Sequence, residues 1–283
     1  MASFTNFATL SYNGGTTNSN IVTGEILEAL TAVKTAVSAN YSAGDRITYA
    51  LSLVNTGTAA VTDYTVTDNL GGYTVGANTV YPLAYNAGTV RYYINGVLQA
   101  APTVTSGPPF TVTGLTVPAG GNAVLIYETT ATPVAPLATG SSITNTATIT
   151  GGGLTTPITA QATVETANSA ELSISKALSP TTVTENGQIT YTFVISNTGN
   201  TEATATGNVV VTDTFAPILR NIAVTYNGTA WTEGTNYTYN AATGVFTTLA
   251  GQITVPAASF TQNTDGTFTV TPGTATLVIT GTV

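Results

Sequence analysis

Ser142-Ile143-Thr144-Asn145-Thr146-Ala147-Thr148-Ile149-Thr150-Gly151-Gly152 closes the first of two sequence repeats. Ser3-Phe4-Thr5-Asn6-Phe7-Ala8-Thr9-Leu10-Ser11, leading into Asn13-Gly14-Gly15, carries the same pattern at the front of the chain. Both stretches alternate apolar and polar residues and then run into glycines, as a strand does before a hairpin turn. The second repeat reaches Val283 without any such segment. The expectation is a β-protein whose closing strand stands at the front of the chain and is missing from the back.

Internal repetition supports this order. Lys34 and Lys176 end matching strands, Leu30-Thr31-Ala32-Val33-Lys34 and Leu172-Ser173-Ile174-Ser175-Lys176. At constant spacing, Gly44-Asp45-Arg46-Ile47-Thr48-Tyr49 answers Asn186-Gly187-Gln188-Ile189-Thr190-Tyr191, and Asn55-Thr56-Gly57 answers Asn197-Thr198-Gly199. After a short insertion, Val66-Thr67-Asp68 matches Val211-Thr212-Asp213. Val117-Pro118-Ala119-Gly120 with Val124-Leu125-Ile126 is equated with Thr271-Pro272-Gly273 and Leu277-Val278-Ile279. Asn95-Gly96 and Asn227-Gly228 supply hairpin turns. The pattern predicts an all-β protein of two tandem Ig-like β-sandwich domains, residues 26–166 and 167–283. An N-terminal donor-strand or hairpin extension, residues 1–25, precedes them. Only Glu25 to Val37 could pass for a short helix, and the repeat match overrules that for its second half.

Composition removes most chemistry. The net charge is -8, and the five basic residues are Lys34, Arg46, Arg91, Lys176 and Arg220, too few to track phosphates, so nucleic acid is not an expected partner. With no cysteine and no histidine there are no disulfides, no thiolate or imidazole metal ligands and no histidine base. An enzyme, a cofactor and a metal are therefore not expected. Asp45, Asp63 and Asp213 lack the clustering of a calcium loop, and the lone Trp231 reads as a packing residue. No apolar run is long enough to cross a bilayer. The N-terminus has neither a basic n-region nor an apolar h-region, which implies a trimmed signal or a route without Sec export.

Aligning Ile279 with Ile126 ends the second repeat where the first still has Thr130 to Glu165 to come. A sheet left open there exposes apolar side chains and unpaired backbone. Phe4, Asn6, Ala8 and Leu10 carry the missing pattern, and Ile21 and Val22, in Asn20-Ile21-Val22-Thr23, supply a second run answering Ile158 to Val164. The Glu25–Leu30 linker looks too short for the segment to fold back onto the second domain of its own chain. Donation to a neighbouring copy is expected, giving a head-to-tail homopolymer that propagates as a fibre. The alternative is a monomeric surface adhesin or binding module.

The only two lysines occupy the same repeat position. By period-two parity, Lys176 shares a face with Leu172 and Ile174, and Asp68 with Tyr64 and Val66. Asn145 falls with Ile143 and Ala147, and Asn6 with Phe4 and Ala8. Lysine, aspartate and asparagine thus all point inward. One reading is a buried ion pair with an asparagine beside it. The sharper one is a spontaneous isopeptide bond: burial makes the amine nucleophilic and keeps the acid protonated, and attack on the amide carbon releases ammonia. The sets are Lys34, Asp68 and Asn145 in the first domain, and Lys176, Asp213 and Asn6 of the neighbouring subunit in the second. These residue types resemble the intramolecular isopeptide domains of Gram-positive pili and adhesins.

Ser175-Lys176-Ala177, Asn-x-Gly, Val-Thr-Asp and Ile143-Thr144-Asn145-Thr146-Ala147-Thr148 also resemble, as two copies over nearly the whole chain, the DUF-eleven repeat family of bacterial surface proteins. That resemblance implies an Ig-like fold and a place on the cell surface. The family usually carries signal peptides and wall anchors, and this chain departs from it in both. Size and layout are similar to the appendage shaft proteins of clostridial endospores, which implies an extracellular or endospore-surface filament.

Overall fold

In the computed structural model of the protein, residues 2–26 and 29–283 are described. The expected Glu25–Leu30 linker passes through Leu27 and Glu28, which lie outside the described residues. The start of the chain forms a two-stranded ribbon: β1 (Ala2–Asn6) pairs with β4 (Val22–Ile26), and β2 (Thr9–Tyr12) with β3 (Gly15–Asn18). Phe7-Ala8 faces the longer Ser19-Asn20-Ile21, a one-residue bulge bridged by Ser19 N–H to the Ala8 carbonyl. Asn13-Gly14 makes the turn, with Gly14 at φ +123°. The Phe4 ring lies over Gly24, where an added Cβ would meet it at 2.4 Å.

The remaining chain alternates apolar and polar residues and builds strands. Two units result, Met1–Ala135 with Ser142–Glu165, and Pro136–Ser141 with Thr166–Val283. The first begins with β5 (Leu30–Ala36), β6 (Asn40–Tyr41), β7 (Arg46–Asn55) and β8 (Val61–Asp68). Shorter strands follow: β9 (Tyr73–Val75), β10 (Asn78–Val80), β11 (Leu83–Tyr85), β12 (Arg91–Ile94), β13 (Val97–Leu98) and β14 (Thr103–Thr105). It closes with β15 (Phe110–Val117), β16 (Asn122–Ala131), β17 (Ser142–Gly151) and β18 (Ile158–Thr166). One antiparallel sheet runs β13-β12-β16-β7-β5, and the sheet facing it runs β14-β15-β8-β17-β18-β6. Ile47, Leu51 and Leu53 of the first sheet meet Tyr64, Val66, Ile143 and Ile149 of the second, all buried. The Glu25–Val37 stretch is strand on both sides of the undescribed residues, so the helix reading of its first half is corrected: Thr31, Val33 and Thr35 are outward on β5 and Leu30 and Lys34 inward, a period of two.

The second unit contains β19 (Leu172–Ser179), β20 (Gln188–Asn197), β21 (Thr212–Thr214), β22 (Arg220–Tyr226) and β23 (Thr229–Trp231). It continues with β24 (Tyr237–Asn240), β25 (Val245–Thr248), β26 (Ser259–Gln262), β27 (Phe268–Thr271) and β28 (Gly273–Thr282). Its sheet β19-β20-β28-β22-β23 repeats the order β5-β7-β16-β12-β13. Its other sheet is only β21-β25-β24, matching β8-β15-β14, with Asp213 opposite Phe246 as Asp68 is opposite Phe110. Among the described residues, nothing pairs with the free edge of β21, where β17 and then β18 lie in the first unit.

Strand register corrects the repeat alignment at one place. Leu125 faces Leu51 and Leu277 faces Phe193, its repeat mate, so Ile279 stands for Tyr127 and not for Ile126. Likewise Asn55 Nδ2 donates to the Pro118 carbonyl and Asn197 Nδ2 to that of Pro256, both at 3.0 Å. Val255-Pro256 is therefore the counterpart of Val117-Pro118. The β26–β27 hairpin is an insertion that carries a second proline-glycine pair, Pro272-Gly273, to the point where the motif was sought.

Candidate cross-linking site

Lys34 sits on β5 at the edge of its sheet, and strand parity turns its side chain inward with that of Leu30. Its Nζ lies 2.5 Å from Asp68 Oδ2, with the lysine side chain 0% and the aspartate 1% exposed. Asp68 Oδ1 accepts the Leu70 N–H at 2.9 Å, and the Tyr127 hydroxyl donates to Oδ2. The ammonium also stands over the rings of Tyr49 and Tyr127, 4.8 and 5.8 Å from their centroids. Burial pushes the Lys34 ammonium down to about 8, against the pull of the Asp68 carboxylate. Burial, with the Asp68 charge nearby, likewise raises the Tyr49 and Tyr127 hydroxyls, which stay protonated.

Asn145 reaches the same spot from β17. Its neighbour but one, Ala147, is paired with Asp68 across the sheet, and parity turns both side chains to the core. Asn145 is 0% exposed, and its amide is close enough to the Tyr49 and Tyr127 hydroxyls to favour their ionisation slightly. Yet neither Nδ2 nor Oδ1 has a partner in hydrogen-bonding geometry among the described residues. A buried amide left with both ends unsatisfied is costly.

In the second unit the same pair is open. Lys176 Nζ is again 2.5 Å from Asp213 Oδ2, but the side chains are 41% and 18% exposed. The lysine stands over Tyr191, Phe193 and Phe215, at 4.5, 5.4 and 5.6 Å. Lys176 faces the inner side of its sheet, and among the described residues no strand covers that side as β17 and β18 cover the one in the first unit. Leu172 and Ile174 are 40% and 54% exposed, where Leu30 is 3%. With Ile195, Val209, Val210 and Val211 they line an apolar groove of about 200 Å³.

The donor residues are all in water. Phe4, Leu10, Ile21 and Val22 are 54–66% exposed, and Asn6 and Ala8 are exposed with them. Cross-strand pairing places Phe4 opposite Gly24 and Asn6 opposite Val22, so these four share a face with Ala8 and Leu10. Ile21 falls in the bulge, not in the strand register with Val22. The structure therefore brings together Lys34, Asp68 and Asn145, and pairs Lys176 with Asp213, but leaves Asn6 unengaged.

The tyrosine cage was missed from sequence. Its signal was present: Tyr49 and Tyr191 occupy one repeat position, two residues after the inward Ile47 and Ile189. Trp231 stacks on Tyr226 at 4.8 Å as a packing residue. Among the described residues no group of three or more carboxylates is placed to hold a metal, and no helix is long and apolar enough to cross a membrane.

No known protein family and no curated protein matches the chain. Among solved structures it is similar to the pilus backbone of Streptococcus pneumoniae, at 14% identity and a TM-score of 0.36, over 86% of this chain and 55% of that one. It is also similar to the major pilin subunit of Bacillus cereus, at 14% identity and a TM-score of 0.35, over 96% and 73% of the two chains. The C-terminal fragment of the major pilin of Streptococcus agalactiae is matched at 14% identity and a TM-score of 0.36, over 87% of each chain.

Proposed function

We propose that this chain is the repeating subunit of a filament, joined head to tail by insertion of its N-terminal ribbon into the second unit of the next subunit. One observation carries the reading: the second unit has a vacancy two strands wide, and the ribbon is two strands wide with an asparagine at the matching place. In the first unit β17 and β18 fill the space between β8 and β6. In the second, the space lies between β21 and Thr182-Val183, the counterpart of Asn40-Tyr41. Tyr41 is fully buried, whereas Val183 is 37% exposed.

The first unit also supplies the register. Ala147, Thr148 and Ile149 pair with Asp68, Thr67 and Val66. Transferred to the joint, Ala8, Thr9 and Leu10 pair with Asp213, Thr212 and Val211, and Asn6 comes to the Lys176–Asp213 pair as Asn145 does to Lys34–Asp68. Main-chain hydrogen bonds then give affinity, and Phe4 and Leu10 fill the apolar groove.

Two covalent bonds follow in this reading, Lys34 to Asn145 within a subunit and Lys176 to Asn6 of the neighbouring subunit. In each, the lysine passes a proton to the aspartate, and the free amine attacks the asparagine Cγ. The aspartate gives that proton to the leaving amide nitrogen, which departs as ammonia, and takes up the second proton shed by the lysine nitrogen as it becomes the amide N–H. An extracellular or spore-surface setting is supported by the repeat and appendage-shaft resemblances.

Electron microscopy of the chain beside a version without residues 1–26 tests the proposal. Fibres from the first and dispersed particles from the second are expected. Dispersed particles from both would end the filament reading in favour of a monomeric adhesin.

A further inference from the structure

The reaction centre of the joint needs more than an asparagine. The two lysine–aspartate pairs have the same 2.5 Å separation, so distance does not distinguish them. Water does. The Lys34 pair lies beneath a completed β8-β17-β18-β6 sheet, whereas the Lys176 pair is open. An ammonium in contact with water holds its proton and is no nucleophile; enclosing it favours the neutral amine.

Asn145 arrives on β17, but the strand that finishes the enclosure is β18. Ala162, directly opposite Asn145 on β18, is 9% exposed, and Val164 beside it is fully buried. β18 contributes no reacting group. In the ribbon the position opposite Asn6 is Val22. It is 55% exposed in the free ribbon and larger than the alanine it would replace.

Resting on the filament reading above, we infer that β4 is a desolvating lid and that Val22 is its positioning residue: it closes water out from the Lys176–Asp213–Asn6 centre, so that the bond forms only when both ribbon strands are seated. The balance is that of the first unit. Lys176 Nζ, its proton on Asp213, bonds to Asn6 Cγ; the Cγ–Nδ2 bond breaks, and the nitrogen leaves as ammonia. An amine and a primary amide become a secondary amide and ammonia, with no oxidant or co-reactant.

The test uses the full chain and Val22→Thr, which keeps the shape and adds a hydroxyl that retains water, with Val22→Ile as the conservative rescue. Fibres are counted by microscopy, bond formation is followed by mass spectrometry as ammonia loss in the Lys176–Asn6 peptide, and the free Lys176 amine is measured by acylation. Val22→Thr is expected to assemble, to leave Lys176 open to acylation in the fibre, and to bond roughly tenfold more slowly, because water kept at the centre solvates the ammonium. Val22→Ile restores the rate, and the Lys34–Asn145 bond is unchanged throughout. Equal bonding rates in the valine and threonine chains would overturn the lid, as would a Val22→Thr chain that forms no fibres, since Val22 would then act in docking. Wild-type fibres with no Lys176–Asn6 bond would instead end the covalent part of the proposed function.

Discussion

Lys34 and Lys176 hold their aspartates at one distance in two different media, and the difference sets what each can do. Native Lys34 gives up its proton near pH 8, below its ordinary value of 10.5. Between those values the unfolded chain binds more protons than the folded one, so folding stability rises with pH across the window and is lowest beneath it. In Asn145→Ala, which cannot form the bond, the thermal midpoint is expected to climb from pH 8 to about pH 9, before the tyrosines of the unfolded chain begin to ionise; a flat or falling midpoint over that range would show that Lys34 is not held below its usual basicity. In the wild-type chain, ammonia loss at Asn145 should hold steady below pH 8, where the Lys34–Asp68 pair still shares one proton, and slow above it, where Asp68 has none to give the leaving nitrogen, read by mass spectrometry on freshly folded protein.

Among the elements, the proposal makes the ribbon and β17–β18 the same device in two settings, and their registers make the joint testable to a single residue. Thr148 and Thr67 pair with their side chains turned away from the core. The corresponding Thr9 and Thr212 of neighbouring subunits should come within disulfide reach, as directly opposed residues do. In a chain with no native cysteine, Thr9→Cys with Thr212→Cys should give an oxidised ladder of multimers, while an out-of-register control, Ser11→Cys with Thr212→Cys, should not. The sequence was explicit about these elements because strands covered on one face alternate strictly: Asn145, Asp68 and Lys34 could be assigned inward by counting alone. Counting failed where spacing changed without changing composition. The β26–β27 insertion reproduces a proline-glycine turn, and only the hydrogen bonds of Asn55 and Asn197 show which proline is equivalent. Burial was also beyond its reach. Parity names the face of Lys176, but whether that face is covered depends on strands distant in sequence.

On the scale of the molecule, the chain carries a closed unit, an open one and an exposed ribbon, each described by its own packing. Filaments of the wild-type chain should survive boiling in detergent, and those of Asn6→Ala should assemble and then fall apart to monomers on a gel. Filaments of both that dissolve alike would remove the covalent joint and leave strand pairing alone. The vacancy beside β21 has one more outcome. Under the proposed function, each joint that sealed there would discard ammonia into a dilute surrounding, and the step would have no practical reverse. Subunits would then not be traded between fibres, shortening would not feed new growth, and the spread of lengths in a population would become a record of how many fibres were started and when, not of any balance between gain and loss.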